Sequence, residues 1–136
     1  MNATDTIDLE VVTPERLVLK VDANEVVLPG LEGYFGVLPG HAPLLSVLGA
    51  GELSYRVGSE WGYLAVAGGF VEVLRGSVGV LAETAELPDE IDEARARRDV
   101  EEAEAAQRTE TSESGQRRAQ EKLDRALARL KVRTRA

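Results

Sequence analysis

The 136-residue sequence has no cysteine, one histidine and few aromatic residues, which make up 4% of it. The lack of cysteine excludes disulfide bonds, thiolate metal sites and a cysteine nucleophile. No apolar run approaches the ~20 residues of a membrane span. Met1–Glu10 carries acids but no base, so we expect no signal peptide. The apolar share of 43% therefore predicts a soluble protein with an aliphatic core, linked to a membrane only through partners.

Charge is unevenly distributed along the chain. The net charge of −8 argues against general binding of nucleic acid. Residues 1–81 carry −6, residues 82–115 carry −8 and residues 116–136 carry +6. The last segment is thus a basic stripe on an acidic protein, which predicts an acidic partner surface.

Up to about Ala85 the sequence pattern is that of β-strands. Ile7–Val11 and Leu17–Val21 alternate apolar and polar residues with period two, and both are rich in branched side chains. Further short apolar runs lie at residues 25–28, 44–48, 52–57, 62–66, 70–74 and 78–82, with glycine-containing turns between them. Short strands at this spacing predict an antiparallel β-sandwich or barrel.

Two glycine-rich stretches interrupt these strands. Residues 33–45 hold three glycines, two prolines and the single histidine, and Pro39-Gly40 predicts a tight turn. His41 has no serine or carboxylate cluster near it in sequence, so a polar corner of the turn is favoured over a catalytic base. Gly68-Gly69 lacks the lysine and following helix of a phosphate loop, so a strand kink is favoured there.

After Leu87 the sequence predicts two helices. Asp89 is a candidate N-cap, the residues up to Arg108 contain no helix breaker, a polar turn covers residues 109–115, and Gln116–Arg133 is again free of breakers. We therefore predict a β-sandwich over residues 1–86 and an antiparallel helical hairpin over residues 87–136.

The predicted helix seam is thin. Apolar or small residues recur in steps of four, three and four on both helices: Ala96, Val100, Ala103 and Gln107, then Ala119, Leu123, Ala126 and Leu130, with Leu127 beside them. Such a seam buries little apolar area. Because burial stabilises by only ~25 cal/mol per Å² of apolar surface, the helix pair should be marginally stable on its own. We therefore expect the hairpin to be stabilised by packing against another surface, from which it can also dissociate.

Charged residues on the hairpin allow two interpretations. Asp92 and Arg95 are spaced i, i+3 on one face, which predicts a salt bridge at the start of the first helix. Arg125 and Arg129 are spaced i, i+4, with Arg118 and Lys122 before them on the same side. They either pair acid with base between the helices, or form an anion site with the first helix N-terminus. Composition favours the pairing. Consecutive carboxylates at Glu101-Glu102 point around the helix, which favours a solvated face over a metal site.

The order of these features resembles the epsilon subunit of the F-type ATP synthase over nearly the whole chain. The resemblance is carried by four segments: Val11-Val12-Thr13-Pro14, Gly36–Leu45, Gly68–Val73 and Ile91–Ala96. It implies a sandwich of about ten strands, a helical hairpin and no active site. It also implies a rotor role on the cytoplasmic face of the bacterial inner membrane, with the gamma subunit and the c ring as partners of the sandwich. The hairpin would inhibit ATP hydrolysis at the alpha and beta subunits.

The resemblance also implies site residues. No cofactor is required, but a regulatory ATP would bind at Glu86, Asp92, Arg95, Arg125 and Arg129. Glu102 stands where family members that bind ATP carry a further arginine. For partners the implied residues are Glu32, Tyr34, His41, Arg117, Arg118 and Lys122. Tyr34 stands where some members carry an acid facing the c ring, and Glu32 is the candidate substitute.

Two other function classes stay open on the residues alone. A free-standing enzyme lacks a convergent set of nucleophile, base or metal ligands. A stand-alone binding module could use the basic hairpin to hold acidic partners.

Overall fold

The computed structural model describes residues 5–136, so part of the segment on which the signal-peptide expectation depends lies outside the described residues. Eight strands are followed by a single 3₁₀ turn at Pro88–Glu90 and two helices. The strands are β1 (Ile7–Val12), β2 (Leu17–Ala23), β3 (Glu25–Gly30), β4 (Gly33–Val37), β5 (Leu44–Val47), β6 (Gly51–Val57), β7 (Glu60–Leu74) and β8 (Ser77–Glu86). The helices are α1 (Glu93–Thr109) and α2 (Glu113–Arg133). No helix in this part of the chain is long and apolar enough to cross a membrane.

The strands pair in the order β2-β1-β8-β7-β6-β3-β4, and β5 pairs with β7. Residues from both ends of this order, Ala23 of β2 and Val37 of β4, share one buried core, so the strands enclose it as a sandwich. The predicted sandwich and hairpin are confirmed, but the described residues 5–136 form eight strands where the resemblance implies about ten. All strand pairs are antiparallel except β1 with β8, which is parallel. No tight hairpin connects these two strands, so turn geometry does not constrain their direction.

Two predicted strands form one long strand in the structure. β7 contains both the 62–66 and the 70–74 runs, with Gly68 and Gly69 between them at φ of 70° and 104°. A side chain at Gly69 would overlap the carbonyl of Leu81 on β8, so only glycine fits this kink. The first half of β7 pairs with β6 and the second half with β5, and β8 spans the kink. The predicted kink thus lets one strand serve two parts of the sandwich.

The predicted turn at Pro39-Gly40 is present. The backbone N–H of His41 donates to the carbonyl of Leu38 (3.1 Å), and Gly40 has a φ of 87°. The Nδ1 atom of His41 lies 2.6 Å from the carbonyl oxygen of Ala42. His41 therefore makes the local contacts of a polar turn corner.

The helices begin at different residues from those predicted. Asp92, rather than Asp89, is the N-cap of α1, because its carboxylate accepts the N–H of Arg95 (3.0 Å). The chain is extended at Ile91, which places that side chain in an apolar cluster below the hairpin. Likewise α2 begins three residues before the predicted Gln116, because Ser112 caps it by accepting the N–H of Gly115 (3.0 Å).

The helix seam is as thin as predicted. Ala96, Ala103, Ala119 and Ala126 are buried, whereas Val100, Gln107, Leu123 and Leu130 are half-buried. Leu127 is 48% exposed and lies outside the seam. Small residues bury little apolar area in the seam, so the hairpin gains further stabilisation from the sandwich, where α2 packs against β6 and β7.

Candidate functional site

A cleft of about 810 Å³ lies between the sandwich and the hairpin. Its sandwich wall includes the end of β8 with Glu86, and its hairpin wall is the basic side of α2. Four basic residues of α2 line it: Arg118, Lys122, Arg125 and Arg129. The structure thus brings Glu86, Arg125 and Arg129 of the predicted nucleotide set together with two of the basic residues predicted to bind partners.

The two arginines of the predicted nucleotide set are paired with acids of the sandwich. Arg129 donates to both carboxylate oxygens of Glu86, at 2.7 and 3.2 Å, and lies 3.7 Å from Asp99 of α1. These three side chains are 18–28% exposed, which reduces solvent screening. Arg125 donates to Glu83 (2.7 Å) in a more exposed pair. The favoured interpretation was pairing between the two helices; here the arginines pair mainly with the sandwich.

Asp92 and Arg95 are not brought to the cleft wall. The carboxylate of Asp92 is engaged as the N-cap, and the side chain of Arg95 donates to Asp99 (3.2 Å) instead of Asp92. Arg95 is nevertheless one contact away from the cleft, since Asp99 lines it and also contacts Arg129. The expected salt bridge at the helix start is therefore replaced by an i, i+4 pair.

Glu102 and Arg117 lie outside the cleft. Lys122 donates to Glu102 (2.6 Å), so this acid is paired across the seam and does not line the cleft. Arg117 is exposed on α2. Of the three basic residues predicted to bind partners, only Arg117 lies outside the cleft.

Arg16, after the first strand, ties the sandwich to the 3₁₀ turn. Its guanidinium donates to both oxygens of Glu90, at 2.8 and 2.7 Å. This hydrogen bond, followed by one from the N–H of Leu87, holds the pKa of Glu90 below its usual 4.5. Glu90 is therefore ionised and engaged at neutral pH.

The sheet presents a row of three residues to α2: Glu86 was predicted as a site residue from the sequence, whereas Glu52 and Ala65 were not. Glu52 of β6 pairs with Ala65 of β7, and Ala65 pairs with Glu86 of β8. Glu52 binds Arg135 (3.1 Å) and Lys131 (3.6 Å), while Glu86 binds Arg129. Ala65 packs with Val132 of α2, Ile91 and Tyr63. The only sequence signal was an acid inside an apolar strand, which does not identify its partner.

The residues predicted to face the c ring lie at the β3–β4 turn. Glu32 is exposed in the turn, and Tyr34 of β4 is 56% exposed. The hydroxyl of Tyr34 accepts the backbone N–H of Glu52 (3.0 Å), and it can do so because Gly51 beside it has no side chain. Leu31, Leu45 and Val47 complete a groove of about 470 Å³ at this end of the sandwich, and His41 does not line it.

An exposed apolar row crosses five strands. Directly paired positions share one face of a sheet. Val47 pairs with Phe70, Phe70 with Leu81, Leu81 with Val12, and Val12 with Leu17. Phe70, Leu81 and Leu17 are each more than half exposed, and Val47 is 45% exposed. Exposure of this five-residue apolar row to water is unfavourable, so the row is a candidate surface for binding another protein.

The sequence matches the two domain models of one family of proteins. Residues 6–88 match the family model described as "ATP synthase, Delta/Epsilon chain, beta-sandwich domain", and residues 89–133 match "ATP synthase, Delta/Epsilon chain, long alpha-helix domain". The chain belongs to the epsilon-chain family of the F-type ATP synthase. The boundary between the two models falls in the 3₁₀ turn that separates the strands from the hairpin.

Two relatives of this epsilon-family chain match nearly all of it, and a third matches about two thirds of it. It is 48% identical over 128 residues to the ATP synthase epsilon chain of Syntrophobacter fumaroxidans, with 94% of this chain and 96% of the relative covered. It is 55% identical over 128 residues to that of Nitratidesulfovibrio vulgaris (strain DSM 19637 / Miyazaki F), with the same coverage. It is 54% identical over 93 residues to the ATP synthase epsilon chain of Koribacter versatilis (strain Ellin345), with 68% of this chain and 66% of that relative covered.

Solved structures share the fold. A chain of the Euglena gracilis mitochondrial ATP synthase superimposes with a TM-score of 0.77 at 24% identity, covering 91% of this chain and 79% of that one. A chain of the Tetrahymena thermophila mitochondrial ATP synthase superimposes with a TM-score of 0.61 at 17% identity, covering 95% and 94%. At these identities the likeness concerns the arrangement of sandwich and hairpin.

Proposed function

We propose that this chain is a non-catalytic rotor subunit of the ATP synthase central stalk. The sandwich couples the gamma subunit to the c ring, and the hairpin restrains ATP hydrolysis. The observation that carries the proposal is the contrast between two packing arrangements. The sandwich encloses its own core of seventeen buried residues, whereas Ala65, Ile91 and Val132 are the buried apolar residues of the cluster below the hairpin. A sandwich that is stable by itself suits a coupling element, and a weakly docked hairpin suits a regulatory segment that moves.

The gamma subunit is the proposed occupant of the five-residue apolar row. The row runs across five strands, so it is flat, long and apolar, as the core of a stable interface between subunits is. Family membership supports this choice of partner. Binding here leaves the hairpin free, because Val132 of α2 packs against Tyr63 and Ala65 in the first half of β7, whereas Phe70 lies in the second half, after the kink.

The c ring is the proposed partner of the β3–β4 turn. Glu32 is the exposed acid of this turn, and Leu31 beside it is 74% exposed. The two together suit a partner loop with both cationic and apolar groups. Membrane association would thus follow from assembly in the complex, on the cytoplasmic face of the bacterial inner membrane.

The basic face of α2 is proposed to act on the alpha and beta subunits. In the docked hairpin, Arg125 and Arg129 are neutralised by Glu83 and Glu86 of the sandwich. Release of the hairpin would free both arginines for an acidic surface elsewhere. The same charges would then stabilise either of two positions, and this is the property required of a switch.

The test is ATPase activity of a reconstituted catalytic core with and without this chain. We expect the parent chain to lower hydrolysis. A variant with alanine at Arg117, Arg118, Lys122 and Arg125 should inhibit less, and raised salt should weaken inhibition by the parent. Arg97→Ala is the matched control, because Arg97 lies on α1 and pairs within its own helix with Glu93. Equal inhibition by the four-residue variant and the parent at low salt would contradict the electrostatic account.

A second candidate function is regulatory binding of ATP in the cleft. The specific observation is that one cleft holds four basic residues of α2 beside Glu86, enough positive charge for a triphosphate. ATP would have to replace Glu83 and Glu86 as the partners of Arg125 and Arg129, so we expect weak affinity. By bridging sandwich and hairpin, it would stabilise the docked state.

Titration of the isolated chain with ATP, followed through amide shifts of α2, tests this candidate. Saturable shifts that Arg125→Gln and Arg129→Gln weaken would support it. Arg97→Gln serves as the control for the loss of one positive charge. Absence of saturable shifts at millimolar ATP would contradict it and leave the cleft as a set of structural ion pairs.

A further inference from the structure

Glu52 is the one charged side chain that is buried among residues 5–136, with 6% of its surface exposed. A buried carboxylate is costly unless cations and hydrogen-bond donors surround it. Here these groups come from the far end of the chain. Arg135 donates from Nε to Oε2 (3.1 Å) and from a terminal nitrogen to Oε1 (3.2 Å), and Lys131 lies 3.6 Å away.

The contacts of Arg135 are specific for a guanidinium. Its central carbon lies 4.2 Å from the centroid of the Tyr63 ring, so the group stacks on an aromatic face while both edge nitrogens bind Glu52. A planar fork can stack and bind two oxygens at once, whereas an ammonium group offers a single point charge. Tyr63 and Glu52 lie on adjacent strands, β7 and β6, and are therefore held in place by the sheet.

The spacing of the helix matches the spacing of the sheet. Neighbouring strands are about 4.8 Å apart, and three residues of helix rise about 4.5 Å. Arg129 and Val132 are three residues apart in α2, and Arg135 follows three residues later in the turn after the helix, where its N–H donates to the carbonyl of Val132 (2.8 Å). Their partners Glu86, Ala65 and Glu52 lie on three neighbouring strands. A shift of α2 by one strand would place Val132 against a carboxylate. Glu52 thus defines the last position of this alignment.

We propose that Glu52 and the Tyr63 ring form a guanidinium-binding site for Arg135, and that its occupancy determines whether the C-terminal end of the hairpin stays on the sandwich. When Arg135 leaves, Glu52 becomes accessible to water, so the site remains intact as an open receptor to which the hairpin can return. The regulatory meaning of this site rests on the proposed function, whereas its existence concerns the isolated chain alone.

Hydrogen exchange of the α2 amides in the isolated full chain tests the proposal, because it measures the equilibrium between docked and open hairpin. Arg135→Gln and Glu52→Gln should each lower the protection factors of residues 126–132 about tenfold. The double variant should lower them no further than Glu52→Gln alone, since Arg135 acts through Glu52, whereas Glu52→Gln also removes the contact with Lys131. Arg135→Lys should lower protection as Arg135→Gln does. Lysine keeps the positive charge, but it lacks the planar guanidinium that stacks on Tyr63 and binds both oxygens of Glu52.

Arg117→Gln is the control, since it removes the same charge from an exposed position of α2 and should leave protection unchanged. Amide shifts of the sandwich strands confirm that each variant is folded; Arg135 lies beyond α2 and is 38% exposed, so its replacement leaves the sandwich core intact. Additive effects of the two single changes, or full protection in Arg135→Lys, would overturn the proposal. Coupled effects without any influence of the chain on ATPase activity would support the site and contradict the proposed function instead.

Discussion

Val132 offers a direct test of how the hairpin is held on the sandwich. Its side chain is fully buried, at 0% exposure, in the apolar cluster with Ala65, Ile91 and Tyr63. Val132→Ala removes two buried methyl groups at about 0.8 kcal/mol each, and the small cavity left behind adds to this loss. We therefore expect docking to weaken by about 2 kcal/mol, a change of about 30-fold in the ratio of docked to open hairpin.

Limited proteolysis with an enzyme that cleaves after lysine and arginine provides the assay. Residues 116–136 hold eight such sites, and cleavage in a helix requires local opening. When opening and closing are fast relative to cleavage, the rate follows the open population. The first cut within α2, identified by mass spectrometry, should appear about 30-fold sooner in Val132→Ala than in the parent chain.

Leu127→Ala is the matched control for this prediction. It removes more apolar volume from the same helix, but Leu127 is 48% exposed and lies outside the cluster. We expect little change in its rate of cleavage. A parental cleavage rate in Val132→Ala, or equal acceleration by both variants, would show that this cluster does not hold the hairpin.

The remaining predictions concern the sandwich and its link to the hairpin. A fragment of residues 1–88 should unfold cooperatively in denaturant, because it keeps all seventeen buried core residues; a molten fragment would contradict the division into two parts. Gly69→Ala should lower the free energy of unfolding by about 3 kcal/mol, whereas Gly36→Ala, which has open space around it, should be nearly neutral in the same denaturation experiment. Because the pKa of Glu90 is lowered by Arg16, its stabilising contribution is present above about pH 4.5 and is lost as the pH falls through its folded pKa. The stability difference between the parent and Glu90→Gln should therefore shrink in acid, and a difference that does not vary with pH would contradict this.

Local patterns predicted most of the fold. The period-two alternation at Ile7–Val11 predicted β1 because one face of a strand is buried and the other is not. The breaker-free stretches predicted both helices because a helix needs an unbroken run of backbone donors. Helix ends were predicted less well. Asp89 and Asp92 both suit the N-cap of α1, and which of them acts depends on where the chain must turn to place Ile91 under α2.

Strand number depended on longer-range contacts. The Gly68-Gly69 pair indicated a kink, but whether it ends a strand or bends one depends on the neighbour that continues past it. In the structure β8 pairs with both halves of β7, so the strand continues. The glycines and prolines of the stretch 33–45 predict an interruption of the strands, yet its first five residues form β4 because they pair with β3.

The candidate site shows the same division. Spacing along α2 placed Arg125 and Arg129 on one face, since residues four apart on a helix are neighbours. Their partners Glu83 and Glu86 lie more than forty residues earlier in the chain, and only packing of α2 on β6 and β7 brings them together. Asp92 and Arg95 illustrate the converse, because a correct local spacing did not determine which acid the arginine would contact.

The sequence by itself thus determined the strands, the hairpin, the thin helix seam and the family, since each depends on residues close in the chain or on an ordered motif. The tertiary structure alone decided how the two parts meet. Glu52 and Arg135 are separated by eighty-three positions and carry no shared pattern. Their contact exists because β6 and the end of α2 are placed against each other by the row of Glu86, Ala65 and Glu52, whose strand spacing matches three residues of helix.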